Sequence, residues 1–308
     1  MRLSVRSLAV LVPALFLASC DGDFGFGDFD RYKEDFHYSF NVSPGGRLSL
    51  ENFNGSVEIT GTAGNTVEIN GTKYANTEQA LKDLKIDAQQ TGDAVQIRTV
   101  PPYGTRNQMG ARFTIRVPRR FELERIVSSN GSVRVEDVQG AAVVKSSNGS
   151  LRASRLQGNL DATTSNASIE ITDVTGNAIL RTSNGSIRGE ASKGTFEAHT
   201  SNSSIDVRLT DPSDQPVRAE SSNGHIDLTM NAVREVRASS SNSSISVRLP
   251  ASANARVRAR TSNSSITTEF DVKTSGTQAK NSLDGTIGSG GPLVDLSTSN
   301  GSIKILRL

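Results

Sequence analysis

Short runs of alternating apolar and polar residues recur along this chain around one tetrapeptide, Ser-Asn-Gly-Ser or a near copy of it. The anchoring asparagines are Asn130, Asn148, Asn166, Asn184, Asn202, Asn223, Asn242, Asn263 and Asn300, with an outlying copy at Asn54. Aliphatic or alanine residues stand four positions before each anchor (Ile126, Val144, Ala162, Leu180, Ala198, Ala219, Ala238, Ala259, Leu296). A second apolar set stands three positions after it, from Val133 and Leu151 through Ile169, Ile187, Ile205, Ile226, Ile245, Ile266 and Ile303. Period-two alternation on both sides of a fixed polar core predicts two half-buried strands flanking one bend in every unit.

The first four intervals between anchors are 18 residues, and the next three are 21, 19 and 21. A period of this size marks a repeat architecture in which one unit buries its apolar face only by stacking on its neighbours. Gly140, Gly158, Gly176 and Gly194, each ten positions after an anchor, supply a second bend where positive φ is needed. Asn-Gly between alternating runs is also a hairpin signal, so an antiparallel meander competes with a parallel solenoid. A type I′ turn needs positive φ at both central residues, yet the second is Ala167, Ser203, Ser243 or Ser264 in four units, where that conformation is costly. A single left-handed asparagine suffices for a solenoid corner, and stacked amides can then bond from rung to rung. The expected fold is therefore an all-β, single-domain parallel β-solenoid with about 18–21 residues per rung and an N-terminal cap; nine regular rungs make a rod on the order of 40–45 Å.

Residues 121–308 carry the regular repeats, and residues 32–120 have a different texture. Leu48, Leu50, Val57 and Ile59 fit the rung pattern around Asn54, and Val67 and Ile69 extend it. Asn76 is placed to cap a short helix running through Leu84, after which Ile86 and the Val95-Ile97 pair resume β structure around Thr91-Gly92-Asp93. Pro101 and Pro102 open a loop, and Phe113, Ile115 and Val117 form a strand ending at Pro118. This segment is expected to cap the first rung, whose unpaired edge would otherwise invite aggregation.

The run of Gly45, Gly46 and Leu48, then Asn-Gly-Ser-Val at 54–57, a charged helix, Arg-Val-Pro at 116–118 and serial Ser-Asn-Gly-Ser rungs resembles the bacterial “putative adhesin” domain of unknown function. The resemblance covers roughly residues 36–308. It implies a repetitive β architecture and brings no catalytic residues with it.

Residues 1–19 read as an export signal: Arg2 and Arg6 open it, Leu8 to Leu17 is too short an apolar stretch to span a bilayer, and Leu17-Ala18-Ser19-Cys20 closes it. The last four residues resemble the lipobox of bacterial lipoproteins, which implies that Cys20 becomes the lipidated first residue. An ordinary secretory signal with an incidental cysteine is the alternative. Cys20 is the only cysteine in 308 residues, so no disulfide framework or thiolate metal site competes for it. Asp21 resembles the signal that retains enterobacterial lipoproteins in the inner membrane. Residues 20–31, rich in Asp, Gly and Phe, read as a flexible acidic tether, with Phe24, Phe26 and Phe29 as spacer or interfacial residues.

Loss of residues 1–19 removes Arg2 and Arg6 and leaves 32 basic residues against 32 acidic ones, so no global field draws nucleic acid. The absence of tryptophan leaves little for a stacking platform on a glycan. An enzyme on such a rod needs paired carboxylates or an acid cluster with a base. The best pair is Asp206 with Asp227, expected on adjacent rungs within a solvated face balanced by Arg188 and Arg208. His37, His199 and His225 sit at unrelated positions, and neither a metal nor another cofactor is expected. The Ser and Thr hydroxyls next to each asparagine either satisfy the bend backbone or form an ordered ladder toward a regular surface. Five positions before the anchors, Arg218, Arg237 and Arg258, with Arg260 beside them, are expected to stack on successive rungs, either as a candidate stripe for an anionic ligand or as a row whose field the interleaved Glu220 and Glu235 cancel. The reading that results is a lipid-anchored, extracytoplasmic, non-catalytic structural or adhesion-like module of the cell envelope. Its partners are the membrane, through Cys20, and an anionic glycan or envelope protein. The alternative is a carbohydrate-active or polysaccharide-binding envelope protein.

Overall fold

The computed structural model describes residues 30–102, 109–210, 215–274 and 279–308. The expected export signal, Cys20 and most of the expected tether lie outside the described residues. What remains is a two-walled β-solenoid of one 13-stranded and one 14-stranded sheet. Each rung contributes a strand to one wall, turns the Asn corner, and contributes the next strand to the other wall. In the regular part these pairs are Glu122–Ser128 with Val133–Glu136, Ala142–Ser146 with Leu151–Gln157, and Leu160–Thr163 with Ile169–Thr175. The next are Ala178–Arg181 with Ile187–Lys193, Phe196–Thr200 with Ile205–Leu209, Val217–Ser221 with Ile226–Met230, and Val236–Ser240 with Ile245–Leu249.

Neighbouring rungs pair in parallel and in register: Leu151 lies on Ile169, Ile169 on Ile187, Ile187 on Ile205, Ile205 on Ile226 and Ile226 on Ile245. The antiparallel meander is thereby excluded in the array. The inward residues of both walls form one continuous core, and Ile187, Ile205 and Ile245 are fully buried in it. β-branched side chains dominate one wall because they pack well on a pleated surface with identical neighbours above and below.

Chain order is not stacking order at either end. The Asn54 rung, Arg47–Asn52 with Val57–Thr62, sits between the rung of residues 122–136 and a rung made by Ala94–Val100 with Met109–Pro118. At the other end, Leu293–Thr298 with Ile303–Arg307 is inserted between the rung of residues 236–249 and that of Ala255–Thr261 with Ile266–Thr268. Eleven rungs are thus formed by the described residues, giving a rod on the order of 50 Å.

Antiparallel strands close both ends. Thr66–Ala75 runs antiparallel to both Tyr32–Asn41 and Met109–Pro118, so Val67 and Ile69 belong to the cap and do not extend the Asn54 rung. Lys85–Thr91 forms a hairpin with Ala94–Val100 around Gly92, whose φ is 59°. Ser282–Ile287 covers Ala255–Thr261 and is flanked in turn by Val272–Thr274. The helix is Glu78–Asp83, one position later than expected, because Thr77 rather than Asn76 is the N-cap: its Oγ1 accepts from the Ala80 N–H at 3.2 Å.

The Asn corner is built differently from the expected left-handed asparagine. Positive φ among the described non-glycine residues occurs at Asp137 (59°), Arg155 (50°) and Asp173 (54°), each seven positions after an anchor. The left-handed residue therefore serves the second bend, together with Gly158, Gly176 and Gly194. Gly140 at the equivalent place stays outside the left-handed region.

Candidate functional site

What holds the Asn corner is the hydroxyl two positions before each anchor. Ser128, Ser146, Thr164, Thr182, Thr200, Ser221, Ser240, Thr261 and Thr298 are all buried. Thr200 Oγ1 donates to the Gly185 carbonyl of the preceding rung at 3.0 Å, and Thr164, Thr182 and Thr298 repeat that bond at 3.0 Å each. Several of these oxygens also accept from their own rung, as Ser146 Oγ does from Gly149 N–H at 2.9 Å and Ser221 Oγ from Gly224 N–H at 2.9 Å. One hydroxyl thus closes its corner locally and staples it to the rung beneath, which is why a small hydroxyl stands there in every regular unit. These hydroxyls satisfy backbone groups inside the wall and do not face outward as a ladder. In the first rung Asn52 takes the place and donates to the carbonyls of Asn54, Gly55 and Ala111.

Just outside this buried row, the anchor asparagines form an exposed ridge along the rod. Each Nδ2 donates to the Oδ1 of the preceding rung: Asn130 to Asn54 at 2.6 Å, Asn148 to Asn130 at 2.6 Å, and Asn166 to Asn148 at 2.7 Å. The chain continues through Asn184, Asn202, Asn223 and Asn242 at 2.7–2.9 Å. At the far end it follows the insertion, with Asn300 donating to Asn242 at 2.8 Å and Asn263 to Asn300 at 2.7 Å. All ten amides point the same way, an arrangement in which each bond polarises the next.

The flat outer faces are charge-balanced. On one wall Arg152 meets Glu170 at 2.9 Å, and Arg155 holds Asp137 through Nε and Nη2 at 2.7 and 2.8 Å. The Arg155 guanidinium keeps the Asp137 carboxyl below its ordinary value. On the other wall Arg218 pairs with Glu220 at 2.6 Å, and His199 lies 3.6 Å from the same carboxylate. Asp206 and Asp227 are stacked as expected, but they are not a free acid pair. Asp206 is in register with Arg188, and Asp227 is bonded by Arg248 from the following rung, not by Arg208. That contact raises the Arg248 pKa further. Arg208 instead reaches Asn231 at 3.5 Å.

The arginine stripe is also corrected. Arg218 and Arg237 are neighbours, but the inserted rung sets Asp295 between Arg237 and Arg258 in register. Arg258 further lies 3.8 Å from Asp284, and Arg260 falls opposite Ser297 and Ser282. The row is therefore an alternation of charges at its far end, and stacked arginines remain only at 218 and 237. His37 bonds Asn70 at 2.8 Å, away from the other histidines. Among the described residues no group of three or more His, Cys, Asp or Glu is placed to hold a metal.

Two features were not foreseen. Arg234, in the connection between Ile226–Met230 and Val236–Ser240, is fully buried at 1% exposure, and nothing in its local sequence marks it. Near the first rung a shallow recess of about 460 Å³ opens between Tyr74, Met109, Arg112 and the Asn54–Asn130 step. Burial pushes the Tyr74 phenol up, against the pull of Arg112, whose guanidinium lies 4.8 Å over the ring and pairs with Asp30 at 2.5 Å.

A family model matches residues 47–306, from the first strand of the Asn54 rung to the end of the inserted one. The chain belongs to the Toastrack DUF4097 family. The Toastrack match spans both rungs that break the chain order, so they are part of the domain. Among solved structures, a “putative adhesin” from Bacteroides fragilis is 11% identical and covers 89% of this chain and 97% of its own, with a TM-score of 0.32. A “putative adhesin” from Parabacteroides distasonis gives the same figures. A “putative cell adhesion protein” from Clostridium sporogenes is 11% identical, covers 89% of this chain and all of its own, and has a TM-score of 0.22. No curated protein matches the chain.

Proposed function

We propose that this Toastrack protein is a lipid-anchored rod of the cell envelope, held outside the cytoplasm by Cys20 and acting as a non-catalytic, adhesion-like interaction module. The observation that carries the reading is the unbroken asparagine ridge from Asn54 to Asn263, stapled from beneath by buried hydroxyls at every step. Such a rod presents one repeated surface over its whole length and holds it rigidly. Its strands begin at Tyr32, twelve residues after Cys20, so the tether sets it close to the membrane on which the lipid would sit. Several acyl chains on one cysteine give stable anchoring where a single chain does not.

Metabolic labelling with palmitate, followed by membrane fractionation of the wild-type chain and Cys20→Ser, tests the anchor. Label and membrane association should both be lost in the variant, and a variant that stays in the membrane fraction overturns it. A polysaccharide hydrolase and lyase screen tests the non-catalytic part. Turnover that disappears in Asp206→Asn or Asp227→Asn would overturn that part.

A further inference from the structure

The rung inserted at the C-terminal end occupies a slot whose two sides match each other. Val236, Ala238, Ser240 and Ile245 on one side face Val294, Leu296, Thr298 and Ile303, which in turn face Val257, Ala259, Thr261 and Ile266 on the other. With residues 293–307 withdrawn, the rung of residues 255–268 could pair directly with that of residues 236–249, apolar on apolar and Asn263 on Asn242. The connections allow it. Residues 231–235 join rungs one step apart, and residues 250–254, equal in number, now join rungs two steps apart. The segment itself hangs on Gly288-Ser289-Gly290-Gly291-Pro292, with Gly288 and Gly290 at φ 60° and 87°.

Two features oppose the closed-up arrangement, and the inserted rung removes both. Closing up would stack Arg218, Arg237 and Arg258 on consecutive rungs, a run of like charges directly opposite one another. Insertion places Asp295 between the last two. Closing up would also put Ser264 on Ser243 at the position after the anchor. A Cβ built on Gly224 falls 1.6 Å from the Ser203 carbonyl oxygen and one on Gly301 2.0 Å from that of Ser243, but one on Gly149 also falls 1.9 Å from that of Gly131, so the close approach is to the backbone beneath and the case against Ser264 on Ser243 rests on the order of residues along the stack. Along the stack from Gly149 the residue at this position runs Gly, Ala167, Gly185, Ser203, Gly224, Ser243, Gly301, Ser264. No two residues bearing a Cβ are adjacent, and the alternation holds only because Gly301 enters between Ser243 and Ser264.

We propose that residues 293–307 are a separable insert, that the rod has a second, closed-up end state in which the rung of residues 255–268 takes their place, and that Asp295 and Gly301 select the inserted state. The arginine row so conspicuous in the sequence then acts inside the protein, as the penalty on the wrong stacking order.

Cysteine pairs read the order directly in the full chain, with Cys20→Ser so that only engineered thiols are present. Ser239→Cys with Ser297→Cys reports the inserted state, and Ser239→Cys with Arg260→Cys reports the closed-up one, since Ser297 lies between the other two positions. Adding Asp295→Arg, or Gly301→Ser, should raise the 239–260 disulfide by about tenfold relative to the parent while the 239–297 disulfide falls. Arg237→Asn with Ser264→Gly, which leaves the insert untouched and relieves the alternative, should move the ratio the same way. The proposal is overturned if the 239–260 disulfide stays at parent level in all three backgrounds. It is equally overturned if both disulfides vanish together, because the end has then melted instead of closing up.

Discussion

In the middle of the rod every rung lies on the one that precedes it in sequence, and at both ends it does not. Between Asn130 and Asn202 each ladder bond joins residues 18 apart, whereas Asn130 reaches back 76 residues to Asn54 and Asn300 reaches back 58 to Asn242. Loop closure grows slowly with length, so drawing together 76 residues in place of 18 costs only about 1.3 kcal/mol more. For that modest cost the ends gain a rung held on both sides by distant parts of the chain. The middle then behaves as a linear array of nearest-neighbour contacts, while each end is a cooperative clasp.

The strongest way to break this comparison is to remove the same side chain in both places. Ile205 and Ile303 are both fully buried, each between identical isoleucine neighbours on one wall. Ile205→Ala should lower unfolding stability by about 3 kcal/mol in denaturant titration. Ile303→Ala should give a smaller global loss, together with faster amide exchange confined to residues 255–307. Equal global losses with no local exchange signature would mean that the end is no clasp.

Next in size is the close approach at the corner. Gly224→Ala forces a Cβ to within 1.6 Å of the Ser203 carbonyl oxygen and places three side-chain-bearing corners in a row. A loss of about 2 kcal/mol is expected, and Ser203→Gly in the same chain should leave it in place, because the oxygen that meets the new Cβ belongs to the backbone. Ser203→Gly alone should cost less than Gly224→Ala, since it lengthens a run of glycine corners of the kind already present at Gly55, Gly131 and Gly149.

How much of this was legible in the sequence depends on whether a feature repeats in residue type or only in conformation. The strands, the parallel register and the amide ladder follow from apolar residues and asparagines that recur in kind. The glycines of the second bend are legible, and Gly158, Gly176 and Gly194 have the expected positive φ; the left-handed residue expected at asparagine is instead Asp137, Arg155 or Asp173, which share a backbone state and no side-chain chemistry. The arginine row was legible as a pattern but was assigned to the wrong stack, since rung order was taken from chain order. Yet the decisive clue was present: Ser243 and Ser264 are consecutive Cβ-bearing corners in sequence, the one place from Asn148 onward where glycine fails to alternate. The caps, whose strands run antiparallel and carry no repeat, had to be read from turns and single residues. That is why the helix start slipped by one.

Smaller again is the buried hydroxyl. Thr200→Val keeps the shape of the corner and deletes the donor to the Gly185 carbonyl, leaving that oxygen without it inside the wall. About 1–2 kcal/mol should be lost. Thr261→Val, which removes the 2.8 Å bond to Gly301 of the inserted rung, should cost a similar amount and should also loosen the end in amide exchange.

The smallest expected effect belongs to the second bend, where the middle of the rod has a device that no described residue of the ends reproduces. Asp137 and Arg155 are both left-handed, lie one rung apart, and are joined by two hydrogen bonds. Asparagine and aspartate tolerate that backbone state better than most residues, so the unusual member is Arg155, and its pairing with Asp137 helps to hold it there. Because the folded Asp137 carboxyl sits below its unfolded value, its contribution is complete above about 3.9 and is lost as pH falls through the lower folded value. Asp137→Asn should therefore separate from wild type on the neutral side and converge with it in acid, when unfolding midpoints are followed against pH. The pair is largely exposed, so added salt should shrink the neutral separation as well. A separation that persisted unchanged in acid would assign the effect to the backbone alone. The bend would then be held by its left-handed residues and glycines without help from charge.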